Sequence, residues 1–220
     1  MKLIVFDMDG TLIDTAALIA DHMTSAFTGV GLPAPTVAQS RRVIGLSLEV
    51  AMSRLAATEH PEIITALVTG YKEHYRKGLE TASDREPLFP GTRAALDRLH
   101  ASDETLLGIA TGKGLTGVHR ILGLHGIAAH FTTLQTPDHN PSKPHPGMLL
   151  RAMEETGASP AEVVMVGDTI YDIELANAAG VASIGVTWGY HEPDELRAAG
   201  ATAMLDSYDD LDKTIAAILE

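Results

Sequence analysis

Acidic residues in this chain stand where two apolar runs end, a placement that suits metal-assisted chemistry. Asp7 and Asp9 follow Leu3-Ile4-Val5-Phe6, with Gly10 and Thr11 straight after them. Farther on, Asp168 ends Val163-Val164-Met165-Val166-Gly167, and Asp172 comes four positions later. Carboxylates this close raise one another's pKa and are costly unless a cation neutralises them. Mg2+ suits such a place, because it takes one or two carboxylates, keeps several waters and accepts phosphate oxygens as further ligands. The Asp-x-Asp-Gly stretch also reads as a polar turn, and Asp168 also reads as a helix cap. An EF-hand fits poorly: with Gly10 at the sixth loop position, the twelfth is Ala16 rather than a bidentate Glu.

Two further stretches offer groups for an anion. Thr111 and Gly112 follow the apolar run that ends at Ala110, and backbone N–H groups opening a helix bind anions without a charged side chain. A helix-capping Thr is an equal reading. Lys143 lies in Pro141-Ser142-Lys143-Pro144-His145-Pro146, where three prolines forbid ordinary helix and stiffen the loop, as they would in a plain extended connector. Gly112-Lys113-Gly114-Leu115-Thr116-Gly117 fits G-x-G-x-x-G, but it does not follow the first strand and no acidic residue ends the next one, so a dinucleotide site has weak support. It is not a P-loop, since Gly follows Lys113. The ten histidines include no HExxH pair, although His22 and His74 could face a substrate.

The elements that must position these groups follow from periodicity. Leu3 to Phe6 suits a parallel strand covered on both faces. Helical patterns then run over Thr15–Thr28, Thr36–Val43, Leu46–Ala57 and Pro61–Leu79, with no convincing strand before Glu86. Strands and helices alternate afterwards: helix Thr92–His100, strand Thr105–Ala110, helix Leu115–Leu122, strand His130–Gln135, helix Met148–Glu155, strand Val163–Val166, helix Thr169–Ala179 and strand Val181–Val186. Short elements near Ala203 and a last helix to Leu219 close the chain. The expected fold is α/β: a Rossmann-like parallel sheet with helices on both faces, plus an inserted α-helical cap. Residues 1–14 and 87–220 form the core and 15–86 the cap, with crossings near Asp14–Ala16 and Ser83–Pro90. Such a cap would overhang the strand ends as a lid.

Composition narrows the possibilities. The 220 residues are 45% hydrophobic and 20% charged, with no apolar run long enough to span a bilayer. With the proposed strand starting at Lys2, no signal peptide is expected and a cytoplasmic location is. Cysteine is absent, which excludes disulfides, thiolate metal sites and a cysteine nucleophile. A net charge of −13 argues against nonspecific binding to nucleic acid or anionic membrane, while a local cation can still draw in a small anion. The expected partner is a small phosphoester, and the chain is expected to be a monomer or homodimer.

Asp7-Met8-Asp9-Gly10-Thr11-Leu12 resembles motif I of the haloacid dehalogenase-like superfamily, most of whose members are aspartate-nucleophile phosphatases. The resemblance implies Asp7 as nucleophile and Asp9 as the acid and base. It places Thr111 and Gly112 on the transferring phosphoryl group and Lys143 between nucleophile and phosphate. In Gly167-Asp168-Thr169-Ile170-Tyr171-Asp172 it makes Asp168 a Mg2+ ligand, beside the Asp7 carboxylate and the Asp9 carbonyl, with Asp172 in support. Dehalogenases of the superfamily lack the second motif I acid, so Asp9 disfavours them. A mutase resembling β-phosphoglucomutase is the main alternative. Ser40-Arg41-Arg42-Val43-Ile44-Gly45-Leu46 lies where that branch keeps its substrate loop, making Arg42 and Gly45 candidate substrate contacts, but it lacks the basic residue mutases usually carry just after Gly45. Together with Gly185-Val186-Thr187-Trp188-Gly189-Tyr190, the pattern looks most like phosphoglycolate phosphatases. Arg41, Lys72, Arg76 and Lys77 are further candidate anion contacts or plain surface charge, and a non-catalytic binding protein on this scaffold is the reading of another class.

Overall fold

The computed structural model describes residues 1–78 and 86–219. It runs β1 (Lys2–Phe6), α1 (Ala16–Gly29), α2 (Val37–Arg41), α3 (Leu48–Ala56), α4 (Pro61–Gly78), α5 (Thr92–His100), β2 (Thr105–Ala110), α6 (Leu115–Leu124) and β3 (Phe131–Gln135). The chain continues with α7 (Gly147–Thr156), β4 (Val163–Gly167), α8 (Ile170–Ala179), β5 (Ala182–Val186), α9 (Pro193–Ala198), β6 (Ala203–Leu205) and α10 (Leu211–Leu219). All six strands are parallel, in the order β3-β2-β1-β4-β5-β6.

Leu3 to Phe6 are apolar without a break because β1 is central and has no wet face. Ile4 and Phe6 enter one apolar layer with Leu96 of α5, Val118 and Ile121 of α6, and Leu211 of α10. Leu3 and Val5 enter the opposite layer with Leu149 and Ala152 of α7 and Leu175 and Ala176 of α8. Each such side chain, fully buried, contributes about 1.5–3 kcal/mol, so the strand that carries the first acidic pair is held on both sides.

Helices α1, α3 and α4 bury a third apolar cluster, including Met23 and Phe27 of α1, Met52 of α3, and Leu67 and Val68 of α4, and Tyr171 at the start of α8 packs into it. The outgoing and returning crossings run side by side: Asp14 N–H donates to the Pro87 carbonyl at 2.9 Å and Phe89 N–H to Leu12 at 3.0 Å. The Ser83 end of the expected return crossing and the Leu79 end of the last insertion helix lie outside the described residues.

Two elements are less visible in sequence. The short segment near Ala203 is a true sixth strand beside β5, and α9 has no counterpart in the periodic reading. Its start signal is local: Pro193 opens it, and Glu195 reaches back to accept from Glu192 N–H at 3.1 Å.

Candidate active site

The strand order reverses at β1, with β2 on one side and β4 on the other, and ligands of open α/β sheets bind beyond the carboxyl ends of strands at such a point. Asp7 extends the ladder by one bond, its N–H donating to the Val166 carbonyl at 2.9 Å, and then leaves the sheet. Its Oδ1 accepts from Met8 N–H at 2.6 Å. Its Oδ2 has the Lys143 ammonium at 3.1 Å but no aligned hydrogen bond. Lys143 also donates to Asp172 Oδ1 at 2.5 Å, and its side chain is fully buried.

Asp168 does not cap the helix that follows it. Its Oδ1 accepts from Thr11 Oγ1 at 2.8 Å and its Oδ2 from Tyr190 N–H at 2.9 Å, which hold it at the end of β4. The cap position is Thr169, and Asp172 closes the capping box, its Oδ2 accepting from Thr169 N–H at 3.0 Å and from Thr169 Oγ1 at 2.8 Å. The close fit needs Gly10: at φ +92° it takes a backbone conformation that favours glycine, and a Cβ there would lie 2.2 Å from Asp168 Oδ2.

Asp7, Asp168 and Asp172 thus bring ligand oxygens within 4.8 Å of one another, all buried. Three carboxylates face one ammonium, an imbalance that a hard divalent cation would offset, and the unaligned Asp7 Oδ2 is a ready ligand atom. Burial pushes the Asp7 carboxyl up to about 7; Lys143 opposes this and the Asp172 and Asp9 charges add to it. Asp168 is raised well above the carboxylate range by burial first, then by Asp172 and Asp7. Burial works to lower the Lys143 pKa, but the Asp172 and Asp7 carboxylates outweigh it and hold the ammonium above its ordinary value.

Asp9 turns the other way. Its Oδ1 accepts from Thr15 Oγ1 at 2.6 Å and sits 3.2 Å from Lys113 Nζ, on the wall of a cleft of about 520 Å³ between the insertion and the strand ends. Thr111 is buried at the end of β2, its N–H donating to Gln135 at 3.1 Å and its hydroxyl accepting from Lys113 N–H at 3.3 Å; Gly114, not Thr111, caps α6. Gly112 lies against the insertion so closely that a Cβ would stand 2.3 Å from the Leu46 carbonyl oxygen. Gly45 lines the cleft, whereas Arg42 is spent on Glu195 at 2.6 Å and does not. His22 is buried edge-on against Tyr71 and Tyr75, whose rings, unlike its own, line the cleft; His74 bonds Ser25 at 3.2 Å.

Residue types alone do not single out Lys113, Thr11, Thr15 and Tyr190. Tyr190 is tied in twice, its N–H on Asp168 and its hydroxyl accepting from Thr15 N–H at 2.8 Å. Thr11, Lys113 and Tyr190 lie within stretches that the sequence singles out, but no such signal marks Thr15.

A profile of haloacid dehalogenase-like hydrolases matches residues 4–186. A Dickeya dadantii protein named probable phosphatase IndB is 36% identical over 214 residues, covering 95% of this chain and 91% of the relative. A phosphoglycolate phosphatase of Vibrio vulnificus is 33% identical over 212 residues, covering 94% and 92%. Among solved structures, a hydrolase of the haloacid dehalogenase-like family from Streptococcus pneumoniae superposes with a TM-score of 0.83 at 23% identity, covering 97% of this chain and 98% of that one, a likeness of fold.

Proposed function

The chain belongs to the haloacid dehalogenase-like hydrolases, and from that membership we propose that it is a phosphatase of small phosphomonoesters, acting through an aspartyl-phosphate on Asp7. The observation that carries this reading is the buried Asp7–Lys143–Asp172 cluster beside Asp168, with Asp9 turned away from it into the cleft.

Asp7 is the nucleophile, a recognised role for a carboxylate. Asp7, Asp168 and the Asp9 backbone carbonyl would hold Mg2+, which when bound supplies positive charge against the repulsion between carboxylate and phosphate. Asp172 fixes Lys143, whose ammonium, with the Thr111 hydroxyl and Gly112 N–H, stabilises the phosphoryl oxygens as charge spreads over them. Asp9 gives a proton to the leaving alcohol and takes one from the water that follows. Residues 15–86 act as a cap whose inner face forms one wall of the cleft.

The raised Asp7 carboxyl makes a pH prediction. Between its ordinary value of 3.8 and about 7, folded metal-free protein holds a proton that unfolded chain has lost. Stability from this group is therefore highest at low pH and falls as pH rises through that window. A cation that takes the proton's place should raise Tm more at about pH 8 than at about pH 5, as thermal melts with and without Mg2+ will show. An equal rise at both would contradict it.

The function itself is tested by phosphate release from phosphoglycolate and a set of sugar phosphates, with Mg2+ and with chelator. Release that requires Mg2+ supports the reading. Isomerisation of a sugar phosphate without release would turn it to a mutase, and no reaction with any ester would remove it.

A further inference from the structure

The turn that carries Asp9 is held from behind by two residues with no part in the chemistry above. The Thr11 carbonyl accepts from the Tyr208 hydroxyl at 2.9 Å and from the Trp188 indole N–H at 3.1 Å, so both of its lone pairs are used. Thr11 N–H donates to the Met8 carbonyl at 3.2 Å, which fixes the backbone on the other side of the residue. With both flanking peptides held, Thr11 turns only about its side-chain torsion, and a β-branched side chain has few positions there. Its hydroxyl is thereby aimed at Asp168 Oδ1, 2.8 Å away.

The two residues after Trp188 close on the same carboxylate. A Cβ on Gly189 would stand 2.0 Å from Asp168 Cβ, and Tyr190 N–H donates to Asp168 Oδ2 at 2.9 Å. Each Asp168 oxygen accepts one bond in this way and keeps a lone pair for a cation shared with Asp7. Packing alone would be met by phenylalanine at positions 188 and 208, where the ring centroids stand 4.7 Å apart in the layer that covers Phe6. Yet the polar atoms of both rings converge on one carbonyl. Both residues also lie beyond 4–186, the stretch that the family profile matches.

We propose that Trp188 and Tyr208 are positioning residues of the metal site, which pin the Thr11 carbonyl so that the Thr11 hydroxyl presents Asp168 to Mg2+ in one orientation. The assignment rests on the reading of Asp168 as a ligand. Outer partners orient a ligand before the ion arrives and so raise affinity. The turn after β6 thereby serves an ion site whose acids come from the ends of β1 and β4 and from α8.

The test measures the Mg2+ Kd by titration calorimetry of the metal-free protein, unaltered and as Tyr208→Phe, Trp188→Phe and Asn177→Ala. The first two each delete one donor and keep an aromatic ring. Asn177→Ala deletes a side-chain bond of 2.8 Å to the Ala199 carbonyl, at the other end of α8. Tyr208→Phe and Trp188→Phe should each weaken Mg2+ binding by about threefold to tenfold, less than loss of a ligand's direct partner, because one donor stays on the carbonyl. Asn177→Ala should leave the Kd unchanged. Turnover of p-nitrophenyl phosphate at limiting Mg2+ should fall by the same factor in the two variants and return at saturating Mg2+. Emission from Trp188, the only tryptophan in the chain, should follow the same titration in the unaltered protein. A Kd within about twofold of the unaltered value in either variant, whatever its melting temperature, would overturn the assignment of that residue. Emission that does not move at saturating Mg2+ would overturn it for Trp188, and an equal loss of affinity in Asn177→Ala would overturn it for both. Each of these leaves the phosphatase standing, because the unaltered protein still binds Mg2+ and turns over. An unaltered protein that binds no Mg2+ would bring down the assignment and the metal-dependent reading together.

Discussion

Asp7→Asn is expected to abolish phosphate release, by a factor of about 10^4 or more, because the amide cannot form the acyl phosphate that splits the reaction into two steps. The substitution keeps the shape and the acceptor for Met8 N–H. It also removes a carboxyl that burial has pushed up to about 7. Above that pH the metal-free wild type must hold the group ionised against burial and its acidic neighbours, and the variant need not. The variant should therefore melt no lower than wild type at about pH 8 in chelator, and gain less from Mg2+. Loss of activity with retained melting separates a missing nucleophile from a damaged fold; activity within about tenfold of wild type would contradict the assignment.

Lys143→Met should be the most damaging change to stability. The ammonium is fully buried between Asp7 and Asp172, and removing one partner of a buried ion pair typically costs about 3–5 kcal/mol because the remaining charge is uncompensated. The deficit has a sign in pH. Without the lysine the Asp7 carboxyl binds its proton more tightly still, so the difference from wild type should shrink as pH falls and that acid neutralises. Denaturant melts at about pH 8 and about pH 5 check this, and a deficit independent of pH would show that the lysine acts through packing alone. Turnover should fall by about 10^2–10^3 or more even where the variant is folded, through loss of a charge on the phosphoryl oxygens.

The core of this arrangement is legible in sequence for a physical reason. A central parallel strand must be apolar on both faces, so the first polar residue marks where it leaves the sheet, and Asp7 and Asp168 both stand there. Asp172 is visible from its four-residue spacing after Asp168, whereas the proline loop alone leaves Lys143 on a plain connector and only the family resemblance picks it out. What the sequence does not expose depends on distant partners. Thr11 reaches Asp168 across 157 positions, and Arg42, a candidate substrate contact, is claimed by Glu195 across 153. Capping shows the same limit: Asp168 has the local signature of a cap, yet Thr11 and Tyr190 use its oxygens, and the cap is Thr169 in a capping box with Asp172. For Lys113 the glycine spacing is visible, but only packing shows that the glycines make room for the lysine and for the Leu46 carbonyl rather than for a dinucleotide.

The most direct test of the central claim is to trap the phosphoryl group on Asp7. Asp9→Asn, given p-nitrophenyl phosphate, has a leaving group that needs no proton but lacks the base for the second step, so the first step should run ahead of the second. Acid quench and peptide mapping of that variant should find phosphate on Asp7, removable by hydroxylamine. Phosphate on another residue, or on protein that also carries Asp7→Asn, would contradict the account.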